Sequence, residues 1–133
     1  MSTIKKFEDL KVWQVARELV NSIYSITITG NFTKDFSLKD QIRRASVSVM
    51  ANISEGFARR SSKEFAQFHN IAHASVAEVQ SHLYITLDLK YINNQDFNKL
   101  YIKCTEISKM IYSLQNYLIK NSKLSTQNSK LEK

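Results

Sequence analysis

Residues 97–118 read FNKLYIKCTEISKMIYSLQNYL, and their apolar positions decide the fold. A mean spacing of about 3.5 residues puts these positions on one side of a helix, in the pattern of helices packed along a shared seam. The stretch therefore predicts a long helix over about 95–120, and the polar residues 121–133 after it are expected to fray. The apolar positions alternate between steps of three and four residues: Phe97, Leu100, Cys104, Ile107, Ile111, Leu114 and Leu118.

Three further apolar lines of helical period lie upstream of this segment. The third helix begins at the pattern Ser61-x-x-Glu64, in which the two side chains cap the first backbone amides. Connections between the lines are short except for residues 29–37, and short connections make neighbouring helices antiparallel. The sequence thus predicts an all-α, antiparallel up-down-up-down four-helix bundle that forms one domain over residues 1–133. Its helices are expected at about 9–28, 38–58, 62–90 and 95–120.

The composition fits long helices and a reducing compartment. The 133 residues include no proline and only two glycines, the residue types that interrupt helices. The single cysteine, Cys104, excludes an internal disulfide. The sequence shows neither a leader-like apolar segment nor a run of the roughly 20 apolar residues that a bilayer requires. We therefore expect a cytoplasmic protein with no membrane partner.

Candidate catalytic and metal-binding residues form no complete set. His69 and His73 share one side of a helix, but a zinc site needs three or four ligands and the sequence offers no evident third. Cys104 lies on the apolar line, so we interpret it as a small hydrophobe rather than a nucleophile. No nucleophile–base pair or phosphate-binding loop can be assembled either. We expect no enzymatic activity, no metal and no cofactor.

Positive charge is the clearest functional signal. Nineteen Lys and Arg residues against twelve Asp and Glu residues give a net charge of +7, and all five arginines lie within the first 60 residues. Arginine binds phosphate through two parallel hydrogen bonds, whereas lysine often serves solubility alone. No aromatic-rich RNA-binding motif is present, so base stacking is not expected to give sequence specificity, and phosphate contacts are expected to dominate. The expected nucleic-acid-binding residues are Lys39, Arg43, Arg44, Arg59, Arg60 and Lys63.

The alternative for these basic residues is a solvated surface on which carboxylates of the same chain neutralise part of the charge: Asp40, Glu55 and Glu64. Three residues just before Arg59 are expected to be structural. Asn52 lies beside an apolar line and is expected to fix helix register through hydrogen bonds. Glu55 is expected to accept a hydrogen bond or pair with a basic group, and Gly56 to let helix 2 pack closely or end. Apolar residues outside the seam leave open either a wider core or an oligomer interface.

The stretch QIRRASVSVMANISEGFARRSSKEFAQFHNIAHASVAEVQSHL, residues 41–83, resembles the core of the bacterial 23S ribosomal-RNA intervening-sequence proteins, also called four-helix bundle proteins. The opening FEDLKVW at residues 7–13 and the segment from Lys109 to Leu114 are similar to that family as well, so the likeness covers residues 7 to about 118. Met50 departs from the family pattern, which usually has proline there. Helix 2 is therefore expected to be straighter.

The resemblance implies a bundle that assembles as a ring, which we expect to be a homopentamer with Arg59 and Arg60 repeated around a charged rim. It also implies an RNA-linked role, because genes of this family often lie within insertions of ribosomal-RNA genes. A related branch supplies the basic accessory protein of diversity-generating retroelements, which partners a reverse transcriptase and nucleic acid. Two functions stay open: a non-enzymatic oligomer associated with RNA or DNA, and a protein-binding scaffold or accessory subunit for a nucleic-acid enzyme such as a reverse transcriptase.

Overall fold

The protein consists of long helices joined by short connections. The computed structural model describes residues 4–59 and 61–131, with side chains up to residue 120 except that of Ser62. No strand occurs within these ranges, and the predicted all-α four-helix bundle is confirmed. Two short 3-10 helices, Phe7–Asp9 and Gly30–Lys34, precede α1 and α2. The four helices are α1 (Lys11–Thr27), α2 (Phe36–Phe57), α3 (Ser62–Asp88) and α4 (Asn94–Leu131).

Polar side chains fix where three of the helices begin. Asp35, Ser61 and Asn93 precede α2, α3 and α4, and each accepts a hydrogen bond from a backbone amide three residues later, at 3.2, 3.2 and 2.7 Å. These amides have no partner within the helix, so each cap stabilises the first turn by about 1 kcal/mol. Ser61 is the serine of the predicted capping box. Met50 lies inside an uninterrupted α2.

The end of α4 differs from the sequence prediction. That prediction ended the helix near residue 120 and expected residues 121–133 to fray, whereas the backbone is helical through Leu131. Residues 121–131 contain neither proline nor glycine, so no residue in this segment interrupts the helix. With 38 residues against 27, α4 is about 16 Å longer than α3 at 1.5 Å per residue.

One hydrophobic core runs along the bundle axis. The apolar line of α4 is buried from Phe97 to Leu114, and Leu118 at its end is half-buried. Removal of this apolar surface from water is the main stabilising contribution, at roughly 25 cal/mol per Å². Each of the other helices contributes a line of its own, and the fully buried members include Leu19, Ile23, Ile42, Val49, Ile53, Val76, Val79 and Leu83.

Candidate nucleic-acid interface

The predicted basic residues lie at the two ends of α2 and do not form one patch. The axis of a helix rises about 1.5 Å per residue, so Arg44 and Phe57 are about 20 Å apart along α2. Arg60 lies outside the described residues. The two groups are called here the loop-end cluster (Lys39, Arg43 and Arg44), after the α1–α2 connection, and the hinge-end cluster (Arg59 and Lys63), after the α2–α3 turn.

Arg43 is fixed across the α1–α2 interface by uncharged groups. Its Nε donates to Oγ1 of Thr27 at 2.9 Å, and its Cζ lies 4.4 Å from the centroid of the Tyr24 ring. Both partners belong to the last turns of α1. Within the described part of the chain, no hydrogen bond uses the two terminal nitrogens of Arg43. A guanidinium held in this way is ready to donate two parallel hydrogen bonds to a phosphate.

The other two residues of the loop-end cluster differ in how much of their charge is neutralised. Lys39 Nζ donates to the backbone oxygen of Thr33 at 3.1 Å and lies 5.0 Å from the ring centroid of Phe36. Arg44 pairs with Asp40 at 2.9 Å on an exposed surface. Asp40 cancels much of the charge of Arg44. Lys39 and Arg43 have no carboxylate partner among the described residues, so these two carry the charge of the cluster.

At the hinge end, Arg59 is neutralised by the residue one turn earlier. Its Nη2 lies 3.1 Å from Oε2 of Glu55, and its Cζ lies 4.7 Å from the ring centroid of Phe68 on α3. The alternative drawn from the sequence, pairing with a carboxylate of the same chain, therefore describes Arg59 but not Arg43. Lys63 is exposed in the first turn of α3.

Asn52 takes part in a polar bridge between α2 and α3. Its Nδ2 donates to the backbone oxygen of Ser48 at 2.8 Å and lies 3.1 Å from the Ser48 hydroxyl. That hydroxyl is 2.8 Å from Oγ of Ser75 on α3. Asn52 therefore acts on the helix pair through Ser48, and a shift of one helix along the other would break the Ser48–Ser75 hydrogen bond.

Gly56 lies where α2 and α3 approach most tightly near the hinge. A Cβ built on Gly56 would lie 2.9 Å from Cδ2 and 3.0 Å from Nε2 of His69, and 3.1 Å from Cβ of Phe68. Carbon atoms do not approach this closely without displacement, so only a hydrogen fits. The close packing expected of Gly56 is thus visible as a notch that receives the His69 ring.

His69 is buried without a polar partner. It is fully shielded from solvent, and neither ring nitrogen has a hydrogen-bond partner in the described structure. Burial, and next the charge of His73, lower the pKa of His69 to about 4. Burial also lowers the pKa of His73. Among the described residues, no three His, Cys, Asp or Glu side chains come together as a metal site.

The single thiol has low reactivity in the folded protein. Cys104 is fully buried in the core, and burial raises its pKa to about 12. The reactive form of cysteine is the thiolate, which is scarcely populated at neutral pH under these conditions. Cys104 thus occupies the position of a small apolar core residue, as its place on the apolar line of α4 indicates.

Sequence reasoning did not find the aromatic partners of the basic residues. Tyr24 and Thr27 lie on α1, so their contacts with Arg43 depend on helix packing that the sequence does not specify. Two other cation–aromatic pairs can be recognised from their spacing in the sequence. Arg17 lies over Trp13, one turn earlier, with Cζ 5.9 Å from the ring centroid, and Lys39 lies over Phe36, three residues earlier.

An open groove of about 560 Å³ runs over α2 beside the loop-end cluster. One end is formed by Tyr24 and Arg43, and the far end by the hydroxyl of Ser48 and the amide of Asn52. Its lining combines one aromatic ring, two guanidinium groups, the carboxylate of Asp40 and several hydrogen-bonding groups. No helix in the described ranges has the length and apolar content needed to cross a bilayer.

Comparison with known proteins agrees with the resemblance seen in the sequence. The family model described as 23S rRNA-intervening sequence protein matches residues 8–113. A crystal structure of a protein with unknown function from the S23 ribosomal protein family of Bacteroides thetaiotaomicron is 27% identical, covers 79% of this chain and 95% of that chain, and superposes with a TM-score of 0.71. No curated protein matches the chain. Neither description names an enzymatic activity. The family match extends from the first turn before α1 to well within α4, and the chain belongs to the 23S rRNA-intervening sequence protein family.

Proposed function

We propose that this protein is a non-enzymatic, RNA-associated helical bundle of the cytoplasm that binds the phosphates of nucleic acid through the loop-end cluster. The description of its family supports an RNA-related role. The observation that carries the phosphate-binding proposal is the geometry of Arg43, which Thr27 and Tyr24 orient while leaving its charge unpaired. Orientation in advance lowers the entropy lost when the side chain binds a phosphate.

The hinge-end residues form a second and weaker contact region in this proposal. Glu55 already binds Nη2 of Arg59, and its carboxylate repels a phosphate that approaches the same guanidinium. Arg60 and Lys63 add positive charge near this end of α2. The net charge of +7 raises the rate of encounter with RNA or DNA. Nucleic acid has a higher density of negative charge than an acidic protein surface, so the protein is expected to bind nucleic acid in preference.

Self-association is part of the proposal, with a homopentameric ring as the expected form. Large apolar side chains on the outer sides of α3 and α4 support it, because monomers rarely leave such residues in contiguous patches. A ring repeats the loop-end cluster in every subunit, so a single RNA can contact several copies and bind with higher avidity. Light scattering tests this against the 15.4 kDa monomer mass. The exposed residues concerned are Tyr84, Ile85, Ile102 and Tyr112, together with Leu89 directly after α3.

The decisive experiment measures RNA binding as a function of salt. Wild-type protein is expected to bind a structured RNA at about 50 mM salt and to lose affinity steeply as salt rises. The double variant Lys39→Ala/Arg43→Ala is expected to reduce the log–log salt slope by about two units, one for each cation that no longer neutralises a phosphate. Lys99→Ala/Lys109→Ala removes the same charge from α4 and serves as the matched control.

Two results contradict the proposal. Wild-type protein that binds no RNA or DNA at low salt removes the nucleic-acid function altogether. Equal losses in the two double variants show that net charge alone attracts the nucleic acid, with no contribution from the geometry of Arg43. Circular dichroism of each variant confirms that its helices are intact.

A protein-binding scaffold, or an accessory subunit of a nucleic-acid enzyme such as a reverse transcriptase, is the second candidate. The observation in its favour is an aromatic cluster on the α3–α4 surface, where Tyr84 lies 4.9 Å from Phe97 and 5.7 Å from Tyr101 between ring centroids. Tyr84 is half exposed. A scaffold retains its protein partner after nuclease treatment, loses it in Tyr84→Ser, and keeps it in Lys39→Ala/Arg43→Ala. RNA-dependent association has the opposite pattern.

A further inference from the structure

Exposed aromatic rings alternate with cations around the loop-end cluster. Phe36, the first residue of α2, is 72% exposed, and Tyr24 on α1 is 41% exposed. Lys39 lies over the first ring and Arg43 over the second. Burial in the core does not account for either ring, because both present much of their surface to solvent.

The geometry of α2 puts these groups in one row. Phe36, Lys39 and Arg43 follow one another at steps of three and four residues, which places them on the same side of the helix. The row from Phe36 to Arg43 is about 10 Å long at 1.5 Å per residue. Tyr24 extends it sideways onto α1, where the 560 Å³ groove begins.

Acidic groups of the same region are already engaged. Asp35 accepts hydrogen bonds from the amide of Leu38 at 3.2 Å and from Oη of Tyr91 at 2.9 Å. Asp40 pairs with Arg44. These interactions hold both carboxylates against protein donors, so they leave the row of rings and cations accessible to an anionic ligand.

We infer that Tyr24 and Phe36, together with Lys39 and Arg43, form a binding site for unpaired nucleotides of single-stranded RNA. This inference rests on the proposed function and specifies its ligand class. Bases stack on the exposed rings and on the guanidinium plane of Arg43, while the phosphates between them bind the two cations. The bases of an RNA duplex are stacked on one another and recessed in a deep, narrow major groove, so a duplex offers this row its phosphates alone.

Stacking selects the strandedness of the RNA rather than its sequence. Every base has a π face, so aromatic platforms tolerate many sequences. This agrees with the expectation from the sequence that base stacking is not a source of sequence specificity. Phosphate contacts set the salt dependence, and the two exposed rings set the preference for unpaired strands.

The test compares two RNA probes at one salt concentration. The first is a single-stranded oligouridylate of about 12 nucleotides, within the range that single-strand-binding modules cover. The second is an RNA duplex of the same length. Wild-type protein is expected to bind the single strand more tightly. Tyr24→Leu and Phe36→Leu are each expected to weaken single-strand binding between about 5-fold and 100-fold, because leucine fills space without a π face.

Two further measurements separate stacking from damage to the site. Duplex affinity and the salt slope are expected to stay unchanged in Phe36→Leu, since Arg43 keeps its partners on α1 and Lys39 keeps its hydrogen bond to Thr33. Tyr117→Leu on α4 replaces a tyrosine that is 38% exposed and is expected to bind both probes like wild type. Phe36 does not hold Arg43 in place, so Phe36→Leu tests stacking even if Tyr24→Leu displaces that guanidinium.

Each alternative outcome overturns the inference. Equal wild-type affinity for the two probes shows that no base is recognised. Unchanged single-strand affinity in both Tyr24→Leu and Phe36→Leu, or an equal loss in Tyr117→Leu, assigns the preference to another surface. In these cases the protein still binds RNA and the proposed function stands. Wild-type protein that binds neither probe at low salt refutes the proposed function together with the inference.

Discussion

At each end of α2 an arginine lies against an aromatic ring, but the second partner of the arginine is uncharged at one end and negatively charged at the other. Arg43 stacks on Tyr24 at 4.4 Å and its other partner is the hydroxyl of Thr27. Arg59 stacks on Phe68 at 4.7 Å and its other partner is the carboxylate of Glu55. One acidic residue a turn away thus offsets the local positive charge that an anion meets at Arg59. The comparison predicts that the number of arginines in a segment overstates its capacity to bind phosphate.

The two ends also differ in packing. The hinge end is closed, with the His69 ring in the notch at Gly56. The loop end is open, with two rings exposed and a groove beside them. Substitutions at the hinge end are therefore expected to change stability, whereas those at the loop end are expected to change binding. The following experiments test this division, from the largest expected effect to the smallest.

Filling the hinge notch is expected to have the largest effect. Gly56→Val introduces carbon atoms where His69 and Phe68 leave space only for hydrogen, and overpacking of this kind destabilises a protein by about 3 kcal/mol. Urea unfolding monitored by circular dichroism measures the loss. Gly30→Ala is the control: its φ of +53° strains any other residue, but no atom lies within 4 Å of the new methyl group. It is expected to lose only about 1 kcal/mol. Equal losses in the two variants would show that the notch is not tightly packed.

Acid is expected to destabilise the hinge end through His69. Its pKa is about 4 in the folded protein and about 6.5 when unfolded, so the unfolded chain binds the proton more tightly. The stability due to neutral His69 is fully present above about pH 6.5 and is lost as pH falls towards 4. The free energy of unfolding is expected to drop by about 2 kcal/mol between pH 7 and pH 5 from this residue.

The variant His69→Leu isolates that contribution, because it keeps an apolar side chain of similar size and removes the titrating group. Between pH 7 and pH 5, the unfolding free energy of the variant is expected to fall by about 2 kcal/mol less than that of the wild type. Urea titrations at several pH values give both curves. Parallel curves for the variant and the wild type would show that His69 becomes protonated without disturbing the fold.

Single arginine substitutions compare the two ends in binding. Arg43→Ala is expected to weaken RNA binding about 10-fold and to lower the salt slope by about one unit. Arg59→Ala is expected to change affinity only about 2-fold, since the Glu55 carboxylate beside Arg59 offsets its positive charge and repels the phosphates. Fluorescence anisotropy over a salt series gives both values. A larger loss from Arg59→Ala would reverse the assignment of the two clusters.

The smallest effect is expected at Arg44. Its pair with Asp40 lies on an exposed surface, with side chains 79% and 61% accessible. Water and salt screen such pairs, so Arg44→Ala is expected to change the free energy of unfolding by less than about 0.5 kcal/mol. Thermal unfolding provides the measurement. A substantially larger loss would mean that Arg44 supports α2 beyond this one ion pair.

The fold could be predicted because its determinants are local. The line from Phe97 to Leu118 defines a helix face, and the Ser61 cap marks a helix start, without knowledge of any other helix. The Glu55–Arg59 pair also has a local signal, because the two residues are one turn apart. Arg43 and Thr27 are 16 residues apart and meet only when α1 packs on α2. The sequence therefore identified Arg43 as a candidate but not the partners that distinguish it from Arg59.

The burial of Cys104 gives this protein an internal reporter of helix opening. Its protonated thiol is shielded by the core, so a thiol-specific reagent reacts only while neighbouring helices are transiently apart. When reclosing is faster than labelling, the rate of modification in native buffer gives the free energy of that opening. Because the chain has no other cysteine, the modified fraction read by mass spectrometry refers to one position in the seam. The rate at which the helices around Cys104 open can thus be measured in the protein without any substitution, and the rates with and without RNA can be compared.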